Sequence, residues 1–344
     1  MEEGNTTLTP TPEAISNQLS AAESASNLAA AVLLCPTFLV GLVGNGLYLW
    51  VLGLQMKRTV TTLLFLHLIS CYFLFTLLIP FFIVSLFMGF HWVFGTVMCK
   101  VVNTCISVAM FSSVFLLTLI SLDRYTLTHH PIWCRTHRTV PQARKLVVGM
   151  WLVSIALSAP YLAFRETREV AGGRIICKNN YALYGEGNGT GMQDMGRQVH
   201  LALFVVRFLL GLLLPFCTIA GCYSRVGLMM KKKKLAWAGK PFKVLVTVVL
   251  SFFLAWLPYH LYHGLKLFKR ELPESVTVTC LIIYTFASCF NACFTPMLYL
   301  FVEEKFLQVF RTSLLTLVKL AFVDELGSSV PELSGRHGSE VESA

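Results

Sequence analysis

The 344-residue chain is 55% apolar and only 13% charged, with a formal net charge of +10 at neutral pH. A water-soluble protein of this length carries more charge on its surface, so the composition excludes an ordinary soluble domain and favours a membrane protein. The positive charge is then assigned to membrane topology and lipid headgroup contact rather than to nucleic-acid binding.

Seven apolar segments are long enough to cross a membrane as helices, which takes ~20 residues at a rise of ~1.5 Å each. Their centres lie near Val40, Phe75, Val114, Leu152, Leu210, Leu250 and Phe286. Several contain Pro or Gly, which membrane helices tolerate when neighbours satisfy the freed backbone groups. The sequence therefore predicts an all-α membrane protein built as a seven-transmembrane helix bundle.

Lysine and arginine are distributed unevenly between the loops that join these segments. One set of loops holds most of them: Lys57, Arg58, Arg135, Arg138, Arg144, Lys145, Arg225, Lys231–Lys234, Lys240 and Lys243. Short loops rich in Lys and Arg stay cytoplasmic, so the N-terminus is predicted outside the cell and the C-terminus inside. A multi-pass plasma-membrane protein is expected, although a run such as Lys231–Lys234 is also typical of a solvated loop.

Two kinds of covalent modification are predicted on the outer side. Asn5 and Asn188 each begin an Asn-X-Thr acceptor for glycosylation. Most of the 11 cysteines fall at membrane depth, where Cys behaves as a small apolar residue. Cys99 and Cys177 instead fall at the oxidising outer surface, where a disulfide would join the third helix to the loop after the fourth.

Short motifs in a fixed order carry a family resemblance. They are Gly44-Asn45, Trp92–Gly95, Asp123-Arg124-Tyr125, Trp151, Pro160, Pro215, Tyr223, Phe252, Trp256, Pro258, Pro296 and Tyr299. In their order and spacing the chain resembles the rhodopsin-class (class A) G-protein-coupled receptors over nearly its whole length. The segments RTVTTLLFLHL, PIWCRTHRTV, PYLAFRET and GRIICKNNYA make it most similar to the chemoattractant branch, which includes formyl-peptide, anaphylatoxin, chemerin-type and prostaglandin D2 receptors.

The resemblance and the composition divide the chain into four parts. Residues 1–27 form an extracellular tail, and residues 28–302 form the seven-transmembrane receptor domain. Residues 303–316 suit a short amphipathic eighth helix along the inner membrane surface. Residues 317–344 form a cytoplasmic tail. From Ser328 onward its low apolar content predicts disorder. Its serines would bind arrestin after phosphorylation by analogy with the family, and a flexible tail without this role is an equal alternative.

The motif Asp123-Arg124-Tyr125 implies a switch for a heterotrimeric G protein at the inner end of the third helix. By resemblance, Asp123 holds Arg124 in the resting state. Arg124 then meets the G protein, together with Tyr223 and Tyr299, when the sixth helix swings outward. A guanidinium at the membrane boundary needs a paired carboxylate or water. The alternative for Arg124 is a snorkelling side chain that only marks the interface.

Trp256 and Pro258 are expected to transmit motion from a ligand pocket to the inner end. Proline removes an intrahelical hydrogen bond and bends the helix, and the bulky ring stands beside that bend. The alternative for Trp256 is ordinary packing.

Arg207 is the first candidate for ligand binding, because it falls about two turns, or ~12 Å, outside the proline of the fifth span. A charge at that depth is costly unless it faces a cavity or a partner. The resemblance implies a basic residue there that receives an acidic ligand, and Arg165 and Arg174 match further basic positions of such pockets. Alternatively, these two arginines pair with Glu166 or Glu169 in a solvated loop.

Tyr259 and His260 are expected to line the same cavity. His260 and His263 share a helix face, but no third metal ligand is apparent, so a polar wall is expected and no metal or other cofactor. Ile106 stands where amine receptors need an aspartate, and Ser107 lacks the acid typical of formyl-peptide receptors. The resemblance therefore supports neither amines nor formyl peptides as ligands.

Two residues depart from the receptor pattern. Tyr72 replaces the usual aspartate of the second span, and Thr295 replaces the Asn or Asp before the seventh-span proline. These positions normally build a sodium site with Asn45, Ser113 and Asn291. Sodium needs a negative charge among its oxygen ligands, and a phenol is neutral at pH 7, so no functional sodium site is expected. The consequence is either a poorly held resting state or weakened coupling.

The leading hypothesis is a receptor, not an enzyme, for an extracellular anionic peptide or lipid chemoattractant that signals through an inhibitory-type G protein. A non-signalling decoy or scavenger receptor is the second hypothesis, favoured by Tyr72 and Thr295 and disfavoured by the intact Asp123-Arg124-Tyr125. A membrane transporter or intramembrane enzyme is the third. It would need inverted repeats, or acidic or metal-binding groups at mid-membrane, which the sequence does not display.

Overall fold

The computed structural model describes residues 12–170, 172–181, 190–232, 240–268 and 274–299, together with the helical pairs 308–309, 311–312 and 315–316. Asn5, Asn188, most of the predicted eighth helix and the C-terminal tail lie outside these residues. The side chains of Thr295, Pro296 and Tyr299 also lie outside the description, although their backbone is helical.

The described chain is almost entirely helical. Its helices are α1 (Pro12–Trp50), α2 (Val60–Phe87), α3 (Gly95–His129), α4 (Pro131–His137), α5 (Val140–Ser158), α6 (Pro160–Phe164), α7 (Thr190–Phe208), α8 (Leu214–Lys232), α9 (Lys240–Phe268) and α10 (Glu274–Tyr299). Five-residue π-helical turns follow α1 at Val51–Gln55 and join α7 to α8 at Leu209–Leu213.

Five segments of the described chain are long and apolar enough to cross a membrane: Asn27–Gln55, Val60–Phe87, Gly95–His129, Val140–Phe164 and Met195–Met229. They match the first five predicted spans. α9 and α10, of 29 and 26 residues, cover the sixth and seventh. The predicted all-α membrane fold is confirmed.

α3 is the central helix, and it contacts α2, α5, α6 and α8. Its apolar side chains are buried on several sides because neighbours surround it, with Val114, Leu116 and Leu117 fully buried. α1 closes the bundle against α10 at Gly41, where any side chain would collide with Cys293. Asn45 then joins three helices, because its Nδ2 donates to Thr76 Oγ1 and to the Ala292 carbonyl, both at 3.2 Å.

A β-hairpin between α6 and α7 is an element that the sequence analysis did not anticipate. Strands β1 (Arg165–Val170) and β2 (Arg174–Asn179) pair antiparallel. Gly172 and Gly173 turn the chain at φ of 81° and 71°, a conformation that glycine adopts without strain. The predicted Cys99–Cys177 disulfide is present and ties β2 to the start of α3. We refer to this end of the bundle as the hairpin end.

Candidate functional site

A cavity of about 550 Å³ opens at the hairpin end. Its wall combines residues of several helices with both strands, and much of it is aromatic: Phe82, Phe90, Trp92, Tyr161, Tyr181, Trp256, Tyr259, Tyr262 and Tyr284. The backbone of Trp92 donates to the Ile175 carbonyl at 2.8 Å, and Ile175 N donates to His91 Nδ1 at 2.9 Å. These bonds fix the hairpin beside the cavity.

The charged residues in the cavity wall all carry the same sign. Arg165, Arg174 and Lys178 line it, and the wall includes no Asp or Glu among the residues described. His200 and His263 add two more nitrogen bases. The sequence analysis missed Lys178, which follows Cys177 on β2.

The two hairpin arginines are held by backbone carbonyls. Arg165 Nη1 donates to the Cys177 carbonyl at 3.1 Å, and Arg174 Nη1 donates to the Gly89 carbonyl at 3.2 Å. Glu166, one of the two alternative partners considered for them beside Glu169, accepts a hydrogen bond from Asn180 Nδ2 at 2.9 Å. Both arginines line the cavity wall.

Arg207 is buried, with 7% of its surface exposed, and it lies behind the cavity wall rather than in it. Its guanidinium carbon is 4.7 Å from the ring centroid of Tyr161 and 5.8 Å from that of Tyr259. Its Nε has no hydrogen-bond partner, and no carboxylate pairs with it within the described chain. Cation–π contacts offset only part of the cost of burying such a charge.

The hydroxyl groups of Tyr161 and Tyr259 are 2.7 Å apart and share a hydrogen bond. Both side chains line the cavity, as predicted for Tyr259. His260 does not, because it is 3% exposed and packs against α7, where its ring is 6.0 Å from that of Phe208. Neither ring nitrogen of His260 has a hydrogen-bond partner in the described structure.

Tyr181 lines the cavity at the end of the hairpin. Its hydroxyl accepts a hydrogen bond from Asn179 Nδ2 at 2.7 Å, and its ring stacks on His200 at 4.6 Å. Burial raises the pKa of Tyr181, so the phenol is neutral at pH 7 and can act as a hydrogen-bond donor or acceptor.

Trp256 lies where the cavity meets the core. It is 4% exposed, lines the cavity, and packs against Phe75 and Tyr259 at centroid distances of 6.1 and 5.8 Å. Pro258 lies two residues further on within α9. A movement of side chains in the cavity wall can therefore be passed by direct contact to Trp256, and so to α9 close to Pro258.

At the opposite end of the bundle, Asp123 pairs with Arg138 rather than with Arg124. Arg138 Nε and Nη2 donate to the two carboxylate oxygens of Asp123 at 2.6 and 3.0 Å, and Nη2 also donates to Thr61 Oγ1 at 2.8 Å. This hydrogen bonding to Asp123 raises the pKa of Arg138. No ion pair joins Asp123 to Arg124 in the described part of the chain. The expected resting contact is thus replaced, because the two-pronged guanidinium of the following loop matches the carboxylate.

The remaining residues of this end lie near one another on α3 and α8. Ser121 Oγ donates to the Tyr223 hydroxyl at 3.3 Å, which places Tyr223 one turn from Arg124. Tyr125 stacks on His129 at 4.4 Å. Tyr299 ends α10, and its side chain lies outside the description.

The positions of the expected sodium site are occupied by packed or hydrogen-bonded side chains. Tyr72 is 3% exposed. Asn45 is bonded to Thr76, Ser113 Oγ donates to the Met110 carbonyl at 2.9 Å, and Asn291 Oδ1 accepts from Ser251 Oγ at 3.4 Å. Where side chains are described, no group of three or more His, Cys, Asp or Glu comes together as a metal site.

Comparison with known proteins identifies relatives along most of the chain. Residues 44–299 match the family described as 7 transmembrane receptor (rhodopsin family). "Probable G-protein coupled receptor 33" of Homo sapiens is 44% identical over 301 residues, which is 88% of this chain and 90% of that protein. "Chemerin-like receptor 1" of Rattus norvegicus is 36% identical, over 84% of this chain and 79% of that protein. "N-formyl peptide receptor 2" of Gorilla gorilla gorilla is 35% identical, over 86% of each.

The resemblance to the chemoattractant branch is confirmed. The segments GLYLWVL and KPFKVLVTVVLSFF, with Tyr72 and Thr295, favour the first of these relatives.

Proposed function

The chain belongs to the rhodopsin family of seven-transmembrane receptors, and on this basis we propose that it binds an extracellular anionic peptide or lipid chemoattractant and activates an inhibitory-type G protein. Membership of this family argues against the transporter and enzyme hypotheses. In the proposed orientation the hairpin end faces outside the cell, and the end that holds Asp123 faces the cytoplasm.

The observation that carries the proposal is the charge of the cavity. Three cationic side chains line the cavity, and its described wall includes no acidic residue. A fourth cation, Arg207, is buried behind that wall and has no carboxylate partner within the described chain. Cations in a concave wall of low dielectric attract and orient an anion. The aromatic side chains add apolar area for the rest of the ligand. The relatives' names, chemerin-like and N-formyl peptide receptor, support a chemoattractant as the ligand class.

Coupling is supported by the arrangement of Arg124. Asp123 is already paired with Arg138, so Arg124 is not held by its neighbouring carboxylate. Tyr223, which the family uses beside this arginine, is bonded to Ser121 one turn away. A guanidinium at the membrane boundary without a fixed carboxylate partner is available to a cytoplasmic protein.

The proposal is tested by G-protein activation in cells without added ligand. The chain is compared with Arg124→Ala at equal surface levels, against each class of Gα subunit. We expect a basal signal through inhibitory-type Gα that falls to background in Arg124→Ala. A signal carried by another class, or one unaffected by Arg124→Ala, would contradict the coupling part of the proposal.

A decoy receptor remains the second candidate, favoured by Tyr72 and Thr295 in place of the usual polar residues. A decoy takes up its ligand without activating any Gα. Tyr72→Asp combined with Thr295→Asn tests this directly, because restored signalling from a silent parent would show that these two residues had removed it. If neither form activates Gα while ligand uptake is intact, the decoy hypothesis is favoured, but the absence of signalling has a cause other than Tyr72 and Thr295.

A further inference from the structure

Two tyrosine side chains from different helices meet in the wall of the cavity. Tyr161 belongs to α6 and Tyr259 to α9, and their hydroxyls share a hydrogen bond at 2.7 Å. Both side chains line the cavity, although both are buried. A hydrogen bond in such a shielded place is electrostatically stronger than one in water. We call these two residues the tyrosine pair, and their bond ties α9 to α6.

α6 is the anchored side of this contact. Ser158, the last residue of α5, donates through its Oγ to Ser107 Oγ on α3 at 2.9 Å. Lys100 Nζ, also on α3, donates to the carbonyl of Leu162 within α6 at 2.8 Å. These two bonds fix the chain to the central helix just before and just after Tyr161. The hydroxyl of Tyr161 is therefore held in place by α3.

α9 is the side that can bend. Tyr259 follows Pro258 directly, and a proline inside a helix removes a backbone hydrogen bond and allows a kink there. The ring of Tyr259 contacts Trp256 on α9 and Tyr284 on α10, at centroid distances of 5.8 and 4.9 Å. A restraint on Tyr259 consequently acts on the bend of α9 and on the position of Trp256.

We propose that Tyr161 is a positioning residue, which holds Tyr259 and thereby α9 in the resting arrangement of the receptor through the hydroxyl–hydroxyl bond. The inference rests on the proposed receptor function and specifies what a ligand has to change. Because both side chains line the cavity, a ligand that enters between the two hydroxyls breaks their bond. α9 is then free to move about Pro258, and the population of the active arrangement rises.

The first test measures ligand-independent activation of inhibitory-type Gα in cells at matched surface levels. Tyr161→Phe and Tyr259→Phe each keep the ring and remove the bond. We expect each to raise activation roughly twofold to tenfold, which corresponds to the ~0.5–1.5 kcal/mol of one hydrogen bond. The double variant should gain no more than either single variant, because all three lack the same bond.

Tyr262→Phe is the matched control for these variants. Tyr262 lines the same cavity from the same helix, and its ring lies 5.1 Å from that of His263. Removing its hydroxyl leaves the tyrosine pair intact, so activation should equal that of the parent chain.

The second test needs no G protein. Hydrogen–deuterium exchange of the purified full chain in lipid nanodiscs is followed by mass spectrometry in peptides of α9 that contain Tyr259. We expect these amides to exchange roughly twofold to tenfold faster in both single variants and in the double variant, since exchange reports local opening. Exchange in α2 should match that of the parent chain.

The two tests together separate failure of this inference from failure of the proposed function. Faster exchange in α9 with no activation of Gα in any form would support the restraint and contradict the proposed coupling. Unchanged exchange and activation in both single variants would overturn the inference. Lower activation would also overturn it, because the bond would then belong to the active arrangement. Gains that multiply in the double variant, or that recur in Tyr262→Phe, would mean a general loosening of the cavity instead.

Discussion

Two arginines at opposite ends of the bundle are held in different ways. Arg207 at the hairpin end is 7% exposed and has aromatic rings but no carboxylate beside it. Arg138 at the opposite end has a side chain that is 21% exposed, yet it makes two hydrogen bonds to Asp123 and one to Thr61. The more deeply buried charge is thus the less satisfied one.

This difference indicates different roles. A guanidinium paired with a carboxylate stabilises the structure around it, and here Arg138 fixes the loop between α3 and α5 to the start of α2. A buried guanidinium without a counter-charge costs stability, and that cost is recovered when an anion binds. The comparison therefore favours a structural role for Arg138 and, under the proposed function, a ligand-binding role for Arg207.

The largest expected effect is that of Arg207→Gln. Removing the buried cation should weaken binding of 4-phenylbutyrate, a small carboxylic acid used as the probe, roughly thirtyfold, since losing one side of a buried charge pair costs ~2 kcal/mol or more. The ligand-free protein should unfold at the same or a higher temperature, because an unpaired buried charge has been removed. Both quantities come from thermal unfolding in nanodiscs. A large drop in the ligand-free midpoint would mean that Arg207 is a structural residue, like Arg138.

Arg138→Gln should lower ligand-independent G-protein activation roughly tenfold, because hydrogen bonds to charged groups contribute ~1.5–3 kcal/mol. The freed Asp123 carboxylate then pairs with the adjacent Arg124 and holds it. Activation is measured in cells at matched surface levels.

The control for this prediction adds Asp123→Asn to Arg138→Gln, which removes the carboxylate that would capture Arg124. We expect activation by this double variant to return toward that of the parent chain. Activation by Arg138→Lys should lie between that of the parent and that of Arg138→Gln. An additive loss in the double variant would show that Arg138 acts through the loop alone and not through Arg124.

Arg165→Gln should weaken 4-phenylbutyrate binding about fivefold. Arg165 lines the cavity in a half-buried position, and its guanidinium is 5.6 Å from the ring of Tyr161, which also contacts Arg207. Binding of the uncharged amide, 4-phenylbutanamide, should not change. The loss should shrink at 0.5 M salt more than the loss caused by Arg207→Gln, because buried charges are screened less.

The smallest effect is expected for Arg174→Gln, at about twofold or less. Arg174 is exposed and bonded to the Gly89 carbonyl, so water and salt screen its charge. Titration of 4-phenylbutyrate at low and high salt measures it. A loss as large as that of Arg207→Gln would mean that the anion binds beside the exposed Arg174 instead of close to Arg207.

The sequence predicted which basic residues belong to the site better than it predicted where they lie relative to the cavity. Arg165, Arg174 and Tyr259 do line one cavity, but Arg207 and His260 lie behind its wall. Nothing in the spacing of Tyr161 and Tyr259 indicates that their hydroxyls meet, because they are distant in the chain and belong to different helices. Arg138 was read only as a marker of the cytoplasmic side, since a basic loop residue has many possible partners.

The chain by itself determined the seven apolar segments, the family, and the disulfide between Cys99 and Cys177, because the lengths of apolar runs and the order of motifs are properties of the linear sequence. Only the tertiary structure decided which arginine pairs with Asp123 and which is left without a carboxylate. Those outcomes depend on where helix ends and loops meet in space. Burial then sets the cost of each charge, and burial exists only once the helices have packed.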